Sequence, residues 1–445
     1  MWPLTPDAGQ GFPSRGEPAP DTRATPTGRS GDHGRVLYRL AVSLFALQAG
    51  FHGFTASLPV ALARAGVADA EIGLIVGLAA VIQVPAALAG GMLVDRFGGF
   101  RLLGVGAVAY LVGAAVLLLP GVDPAGDRLP FIVARISQGI GIAITLPAAL
   151  SLVPGLVDGA RLGFALAIMG SAHNLTLIVL PPVSLAVLGA GTSLDGVATL
   201  VAASVIVGAA LLLLVPIRLR RTAAARPTAD EADADLAASR PAARSLGPAM
   251  RRFGFTFRRE WTPPLLIVLL YVAHWGVITA YLPQRAELAG ADIGLFFTAD
   301  GIAVLALRVP SGWLADRMPP RWLVLAGLLA TVVAIGLLVL PPTTPILVLA
   351  GLLTGGGAGV ILTPLLVELS HRSTDDDRGS AFSMLSAAMA GALVLGSIGV
   401  APIIATVGFE ATILVTIVGL VLATVVALLD PGLAPRRRQA VSRAA

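Results

Sequence analysis

Twelve long apolar runs dominate this sequence, and each is about as long as a helix that crosses a bilayer. Such a helix needs about 20 apolar residues to span a hydrocarbon core of about 30 Å. Hydrophobic residues make up 56% of the 445 residues and charged residues only 13%, whereas about a quarter of a soluble chain is charged. A soluble core cannot bury a dozen such runs. The sequence therefore predicts an all-α polytopic protein embedded in a lipid bilayer.

The runs form two groups of six, separated by the one long polar stretch inside the chain. The first group covers about 36–62, 72–93, 102–119, 129–152, 162–188 and 197–215. The second covers about 264–282, 293–314, 323–340, 346–369, 381–407 and 411–429. We therefore expect a disordered N-terminal tail (1–35), a six-helix half (36–215), a linker (216–261), a second six-helix half (262–430) and a basic tail (431–445).

The distribution of arginine predicts the orientation in the membrane. The net charge of +5 would suggest a nucleic-acid partner in a soluble chain, but 26 of the 31 basic residues, all arginine, fall on one side of the predicted spans. This is the positive-inside pattern, so we expect a multi-pass protein of the cytoplasmic (inner) membrane with both termini in the cytoplasm. No nucleic-acid partner is expected. The chain has no cysteine, which excludes disulfides, thiolate metal sites and a cysteine nucleophile.

A charged connection between the second and third runs has the pattern G-x-x-x-D-R-x-G-x-x-R, and a degenerate copy connects the eighth and ninth runs. In each copy a glycine allows close helix approach, and an acid and a base follow at the end of the run. We call these two connections, residues 91–101 and 312–321, the signature loops. Their defining residues are Gly91, Asp95, Arg96 and Arg101 in the first copy, and Gly312, Asp316 and Arg317 in the second.

The two copies belong to an internal duplication. An offset of 221 residues carries Gly91, Asp95 and Arg96 onto the second copy, and an offset of 217 carries Gly139, Pro147 and Arg161 onto Gly356, Pro364 and Arg378. The loops and the parallel halves resemble the major facilitator superfamily of transporters over residues 36–430. The resemblance implies twelve helices in two parallel-related halves, a cytoplasmic gate at the signature loops and a substrate cavity lined by the first, fourth, seventh and tenth helices.

Polar side chains inside a span are costly unless they face protein or a water-filled cavity, so each is a functional candidate. Those we select for the substrate cavity or for coupling are Gln48, His52, Arg135, Gln138, His274 and Asp300. The resemblance implies that the first five point toward substrate. Asp300, the only acid well inside a span, is either a proton carrier or a hydrogen-bonding group of the cavity wall. We interpret His173 as a helix-packing residue and Arg308 as part of the second signature loop.

Residues 135–141 resemble the R-x-x-Q-G-x-G motif of the family's fourth helix, where the arginine is linked to proton coupling in exporters. The alternative is that Arg135 merely snorkels to the membrane surface. Two departures leave direction and coupling open. The glycine-rich stretch usual in the fifth helix of proton-driven drug antiporters is missing, and the first helix carries Gln48 and His52 where many exporters have an acid.

We therefore predict a secondary active transporter that moves a small organic solute by alternating access, with proton-coupled efflux as the first choice. Proton symport or facilitated uptake is the alternative in the same class. From another class, the chain could be a transporter-like sensor or assembly partner that moves nothing, although matched signature loops in both halves argue against it. The sequence contains no nucleophile elbow, metal-ligand cluster or Walker loop, so we expect no enzyme activity, cofactor or metal. We expect a monomer that binds its solute and protons.

The topology can be tested by thiol labelling, because the chain is free of cysteine. Single cysteines at Ser193 and Thr343 should react with a membrane-impermeant reagent added to intact cells. Cysteines at Ser30, Ala232 and Ser442 should react only after the membrane is opened. The reverse pattern would overturn the assignment.

Overall fold

The computed structural model describes residues 29–157, 162–190, 193–215, 257–315, 317–374 and 377–434. These residues form fourteen α-helices and contain no β-strand. Most of the predicted N-terminal tail, the linker up to residue 256 and the basic tail from residue 435 lie outside the described residues.

The first half contains seven helices, which are α1 (Arg29–His52), α2 (Ser57–Arg64), α3 (Asp69–Phe97), α4 (Gly99–Leu117), α5 (Leu129–Leu152), α6 (Leu162–Gly189) and α7 (Leu194–Leu213). The second half also contains seven, which are α8 (Thr262–Leu288), α9 (Ile293–Ala315), α10 (Pro320–Leu337), α11 (Thr344–His371), α12 (Arg378–Val394), α13 (Ala401–Thr406) and α14 (Phe409–Leu429). Within the described part, ten helical segments are long and apolar enough to cross a membrane. The all-helical fold predicted from the sequence is confirmed.

Two predicted runs are interrupted in the structure. The first run ends as α1 at His52 and restarts as α2 at Ser57. Between them Phe54 and Thr55 make tight backbone hydrogen bonds to the carbonyls three residues earlier. The eleventh run contains a π-helical turn, Leu395–Gly399, between α12 and α13. Such turns concentrate at functional sites, and both interruptions place residues at the cavity described below.

Glycines at equivalent positions pack the helices of both halves together. A Cβ at Gly106 would lie 2.3 Å from the methyl carbon of Thr145, and one at Gly327 would lie 2.4 Å from Cγ1 of Ile361. The offset of 221 found in the sequence carries Gly106 onto Gly327. Small residues thus allow equivalent helix pairs to approach closely in the two halves.

The first signature loop turns at Gly98, which caps α3 with a φ of +79°. A side chain is disfavoured in this conformation, which explains the central glycine of the motif. The second loop has no glycine there, and α10 instead begins with Pro320 after the extended Pro319.

Arg372 fixes the helix ends of the second half beside the second signature loop. Its guanidinium donates to Glu368 at 2.8 Å, to Asp430 at 2.6 Å and to the carbonyl of Glu260 at 2.7 Å. Burial alone would lower the pKa of Arg372, but the hydrogen bonds and charges of Asp430 and Glu368 raise it above its ordinary value. Arg372 therefore stays charged and holds the ends of α8, α11 and α14 together.

Candidate functional site

A cavity lies between the two halves. Helices α1, α3, α5 and α6 supply one side of it, and α8, α12 and the π-helical turn supply the other. Its lining residues are Phe51, His52, Thr55, Val76, Gly77, Ala80, Gln83, Arg135, Leu177, Trp275, Thr279, Leu393 and Ser397. A cleft between two halves that is lined mainly by apolar side chains, with a few polar groups among them, is typical of a site for a small organic molecule.

Arg135 is the one charged side chain among these lining residues, and only 3% of its surface is exposed. Its guanidinium donates to the side-chain oxygen of Gln138 and to the carbonyl of Val76, both at 2.7 Å. The ring of Phe51 lies 5.1 Å from the guanidinium carbon, within cation–π range. The structure thus holds Arg135 inside the bundle, whereas snorkelling would require it at the membrane surface.

The wall supplied by the second half is mostly apolar. Trp275 and Leu393 line it, with Thr279 and Ser397 as its polar groups. Trp275 is supported by Phe296 and Phe297, whose ring centroids lie 6.4 and 6.0 Å from its own. The cavity therefore has a cationic wall on the first half and an aromatic and aliphatic wall on the second.

His52 lies at the end of α1, where the first run is interrupted, and its ring meets the ring of His173 on α6. The ring centroids are 5.5 Å apart in an edge-on arrangement. Neither ring nitrogen of His52 has a hydrogen-bond partner in the described protein, and the same holds for Nδ1 of His173. His173, which the sequence suggested as a packing residue, is thus in direct contact with a residue of the cavity wall.

The other polar residues selected from the sequence lie behind the lining. Gln48 accepts a hydrogen bond from the hydroxyl of Tyr110 at 3.3 Å, and Gln138 accepts the one from Arg135. His274 donates through Nδ1 to the carbonyl of Tyr271 on its own helix, while its neighbour Trp275 lines the cavity.

Asp300 lies on α9 and faces α11, within the second half. Its carboxylate accepts a hydrogen bond from the hydroxyl of Thr354 at 2.8 Å, and Asp300 is buried. The sequence left open whether Asp300, His52 or His274 is the partner of Arg135. In the described structure, Arg135 hydrogen-bonds with none of the three.

The gate residues of the signature loops are only partly described. Arg96, Arg101 and Arg317 have exposed side chains. Gly91 and Gly312 lie within α3 and α9, but their surroundings are outside the described part, as are the side chains of Asp95 and Asp316.

The halves touch at the end of the bundle opposite the signature loops, which we call the closed end. There Arg64 donates to Glu287 at 2.5 Å, and Gln284 donates to Asp69 at 3.4 Å. Each of these pairs joins one half to the other. The ion pair is more than one-third exposed at both partners, so it contributes little by itself, about 0–1 kcal/mol.

The two halves also pack closely against each other at the closed end. A Cβ at Gly73 of α3 would lie only 1.9 Å from the hydroxyl oxygen of Tyr281, which itself donates to the carbonyl of Ser397 at 2.5 Å. A Cβ at Gly77 would lie 2.4 Å from the side chains of both Ser397 and Ile398. Because these two positions of α3 are glycines, the halves can meet directly above the cavity.

The family model described as Major Facilitator Superfamily matches residues 40–291 and 286–444, which is nearly the whole helical part of the chain. The chain belongs to the major facilitator superfamily. Members of this superfamily are membrane transporters that bind small-molecule substrates, so this major facilitator protein is a transporter and not an enzyme.

Two solved structures share its fold. The human organic anion transporter MFSD10 (TETRAN) is similar with a TM-score of 0.59 and 17% identity, over 89% of this chain and 99% of that one. The peptide transporter POT in complex with alafosfalin is similar with a TM-score of 0.67 and 16% identity, over 89% of this chain and 95% of that one. At these identities the similarity shows the major facilitator fold alone.

Sequence reasoning missed the contributions of the second, fifth and eleventh spans to the cavity and the closed end. Gly73 and Gly77 are four residues apart and hence on one face of α3, a signal for close helix contact that could have been read. Arg64 and Glu287 end neighbouring spans with opposite charges, which was a second available signal.

Gly73→Ala should open the closed end, because the added methyl group overlaps the Tyr281 hydroxyl. Overpacking of this kind costs about 1–3 kcal/mol, which lowers the population of the closed arrangement about fivefold to 150-fold. A cysteine placed at Thr279, in the cavity wall, should then react faster with an impermeant thiol reagent added to intact cells. Gly104→Ala is the matched control, since nothing lies within 4 Å of that position. Equal labelling in both variants would contradict the role of Gly73.

Proposed function

We propose that this membrane transporter carries a small organic solute by alternating access, with the solute bound in the cavity between the halves. The observation that carries the proposal is that residues of both halves line this cavity and that contacts between the halves close one of its ends. Rocking of one half against the other around such a site exposes it to each side of the membrane in turn.

We further propose that the closed end faces outward and the signature loops face the cytoplasm, with both termini inside. The arginine distribution supports this orientation, since 26 of the 31 basic residues lie on the side of the signature loops. In this orientation the structure is closed on the outer side of the membrane. Asp95 and Asp316, with their neighbouring arginines, then belong to the gate that closes when the protein faces outward.

Proton-coupled efflux remains the proposed mode of transport. Its support is Asp300, a buried acid that can carry a proton, together with the motif around Arg135 that exporters of the family share. The two groups lie in different halves, because Asp300 contacts Thr354 on α11 whereas Arg135 contacts α3. Proton and solute can therefore act on the same rocking motion without contacting each other.

One observation favours proton symport as a second candidate. The lining residues of the cavity include an arginine and no acid. A fixed positive charge attracts an anionic solute. An anion that enters together with a proton carries less net negative charge against the membrane potential.

The direction of proton movement separates the two modes. Purified protein in liposomes that enclose a pH-sensitive dye should change the internal pH when aryl sulfonates or neutral aryl solutes are added outside, and protein-free liposomes should show no such change. Export by antiport predicts that solute entry drives protons out and makes the interior alkaline, whereas symport predicts acidification. Either mode is readable whichever way the protein inserts. A chain that moves no proton and no labelled solute would instead be a sensor or assembly partner.

Asp300→Asn keeps the hydrogen bond from Thr354 but cannot carry a proton. It should therefore abolish the internal pH change while leaving solute exchange across the membrane intact. Asp195→Asn, at an exposed acid that starts α7, should change neither. Proton movement that survives in Asp300→Asn would show that another group is the carrier.

A further inference from the structure

The most deeply buried arginine of the described bundle has no acidic partner. Five other described arginines pair with carboxylates. These pairs are Arg64–Glu287, Arg128–Glu71, Arg258–Asp377, Arg285–Glu410 and Arg372 with Glu368 and Asp430. Arg135 is only 3% exposed, yet no described carboxylate lies within ion-pair distance of it.

A charge taken out of water without a counter-charge is strongly unfavourable, and a guanidinium cannot relieve the cost by losing its proton. Hydrogen bonds to an amide and a carbonyl satisfy two of its donors, but they do not neutralise it. Such a buried, unneutralised cation at the wall of a cavity is suited to bind an anionic ligand that enters the cavity from solution.

Arg135 is held ready for such a partner. Gln138 and the carbonyl of Val76 fix its two terminal nitrogens, and the Phe51 ring covers one face of the guanidinium. Its Nε has no hydrogen-bond partner in the described protein. The side chain is thus oriented and retains donors, the arrangement that binds a planar carboxylate with little loss of entropy.

The opposite wall defines the rest of the ligand. Trp275 and Leu393 line it without contributing a charge. Trp275 is braced by two phenylalanine rings, so it offers a fixed aromatic face. An anion that also fills this side of the cavity has an apolar body, preferably an aromatic one.

We propose that the transported solute is a small organic carboxylate with an apolar or aromatic body, whose carboxylate binds Arg135 and whose body packs against Trp275. This inference rests on the proposed transport function and names the class of its substrate. It is tested by equilibrium binding, which does not require transport, so a protein that binds but does not transport would contradict the function and leave the substrate class standing.

The test uses three ligands that share one phenylpropyl body and differ only in the head group, which are 3-phenylpropionate, 3-phenylpropanamide and 3-phenylpropylamine. Calorimetric titration of the full chain in a zwitterionic detergent should show binding of the carboxylate. The amide and the amine should bind at least tenfold more weakly. Binding that favours the amine, or no binding of the carboxylate, would overturn the proposal. Loss of carboxylate binding on addition of phosphatidylglycerol would show that a lipid phosphate is the natural occupant, which would also overturn it.

Arg135→Gln should weaken carboxylate binding about tenfold to a hundredfold, the range expected for losing hydrogen bonds from a charged group. The same variant should raise the melting temperature of the ligand-free protein, because it removes a buried charge that the protein leaves unneutralised. A purely structural arginine predicts the opposite change in melting temperature. A fall in melting temperature together with unchanged affinity would contradict the proposal.

Arg128→Gln is the matched control, since Arg128 immediately precedes the same helix and is paired with Glu71. It should not raise the melting temperature, and it should leave carboxylate affinity unchanged. Trp275→Leu should weaken 3-phenylpropionate binding about threefold to tenfold while changing the affinity for hexanoate less. Equal losses for both carboxylates would show that the aromatic face of Trp275 does not contact the ligand.

Discussion

Lipid tails offer no hydrogen bonds, so the polar side chains inside the bundle depend on the protein for their partners. Most of the described ones find a local partner. Asp300 and Gln48 accept hydrogen bonds from the hydroxyls of Thr354 and Tyr110. His274 donates one to a carbonyl of its own helix. Several described groups lack a partner, and at the cavity these include Arg135, which has no counter-charge, and both ring nitrogens of His52. Unsatisfied buried groups are costly, so a buried arginine and a histidine left in this state at one cavity mark it as the candidate site.

The same bundle has to open and close, and glycine makes the closing contact possible. Gly73 and Gly77 of α3 let Tyr281 and Ser397 of the second half approach without an intervening side chain. Gly301 does the same where α9 meets Ile178 of α6. Contacts made by close packing and a few exposed polar groups can separate without leaving a buried charge unpaired. An interface of this kind is suited to alternate between two arrangements.

Much of the fold could be predicted from the sequence, because hydrophobic runs of fixed length and a repeated charged loop are local signals. The fourth run even has the same bounds as α5, Leu129–Leu152. The interruption after His52 could not be predicted, because it depends on turn geometry inside an apolar stretch. The site was harder still. His274 was expected at the cavity, but its neighbour Trp275 lines it, and one residue turns a helix by about 100°. Which face of a helix meets the cavity depends on packing across the halves, which a single sequence does not show.

The central claim is that two halves rock around the cavity, and paired distance measurements test it most directly. Spin labels can be placed in the cysteine-free chain at Ala68 and Leu288 on the closed end, and at Phe97 and Met318 within the signature loops, all of which are exposed. Double electron–electron resonance in lipid nanodiscs, with and without 3-phenylpropionate, would report both distances. The account predicts opposite changes, with the closed-end distance growing as the signature-loop distance shrinks. Distances that stay fixed at both ends, or that change at one end only, would contradict it.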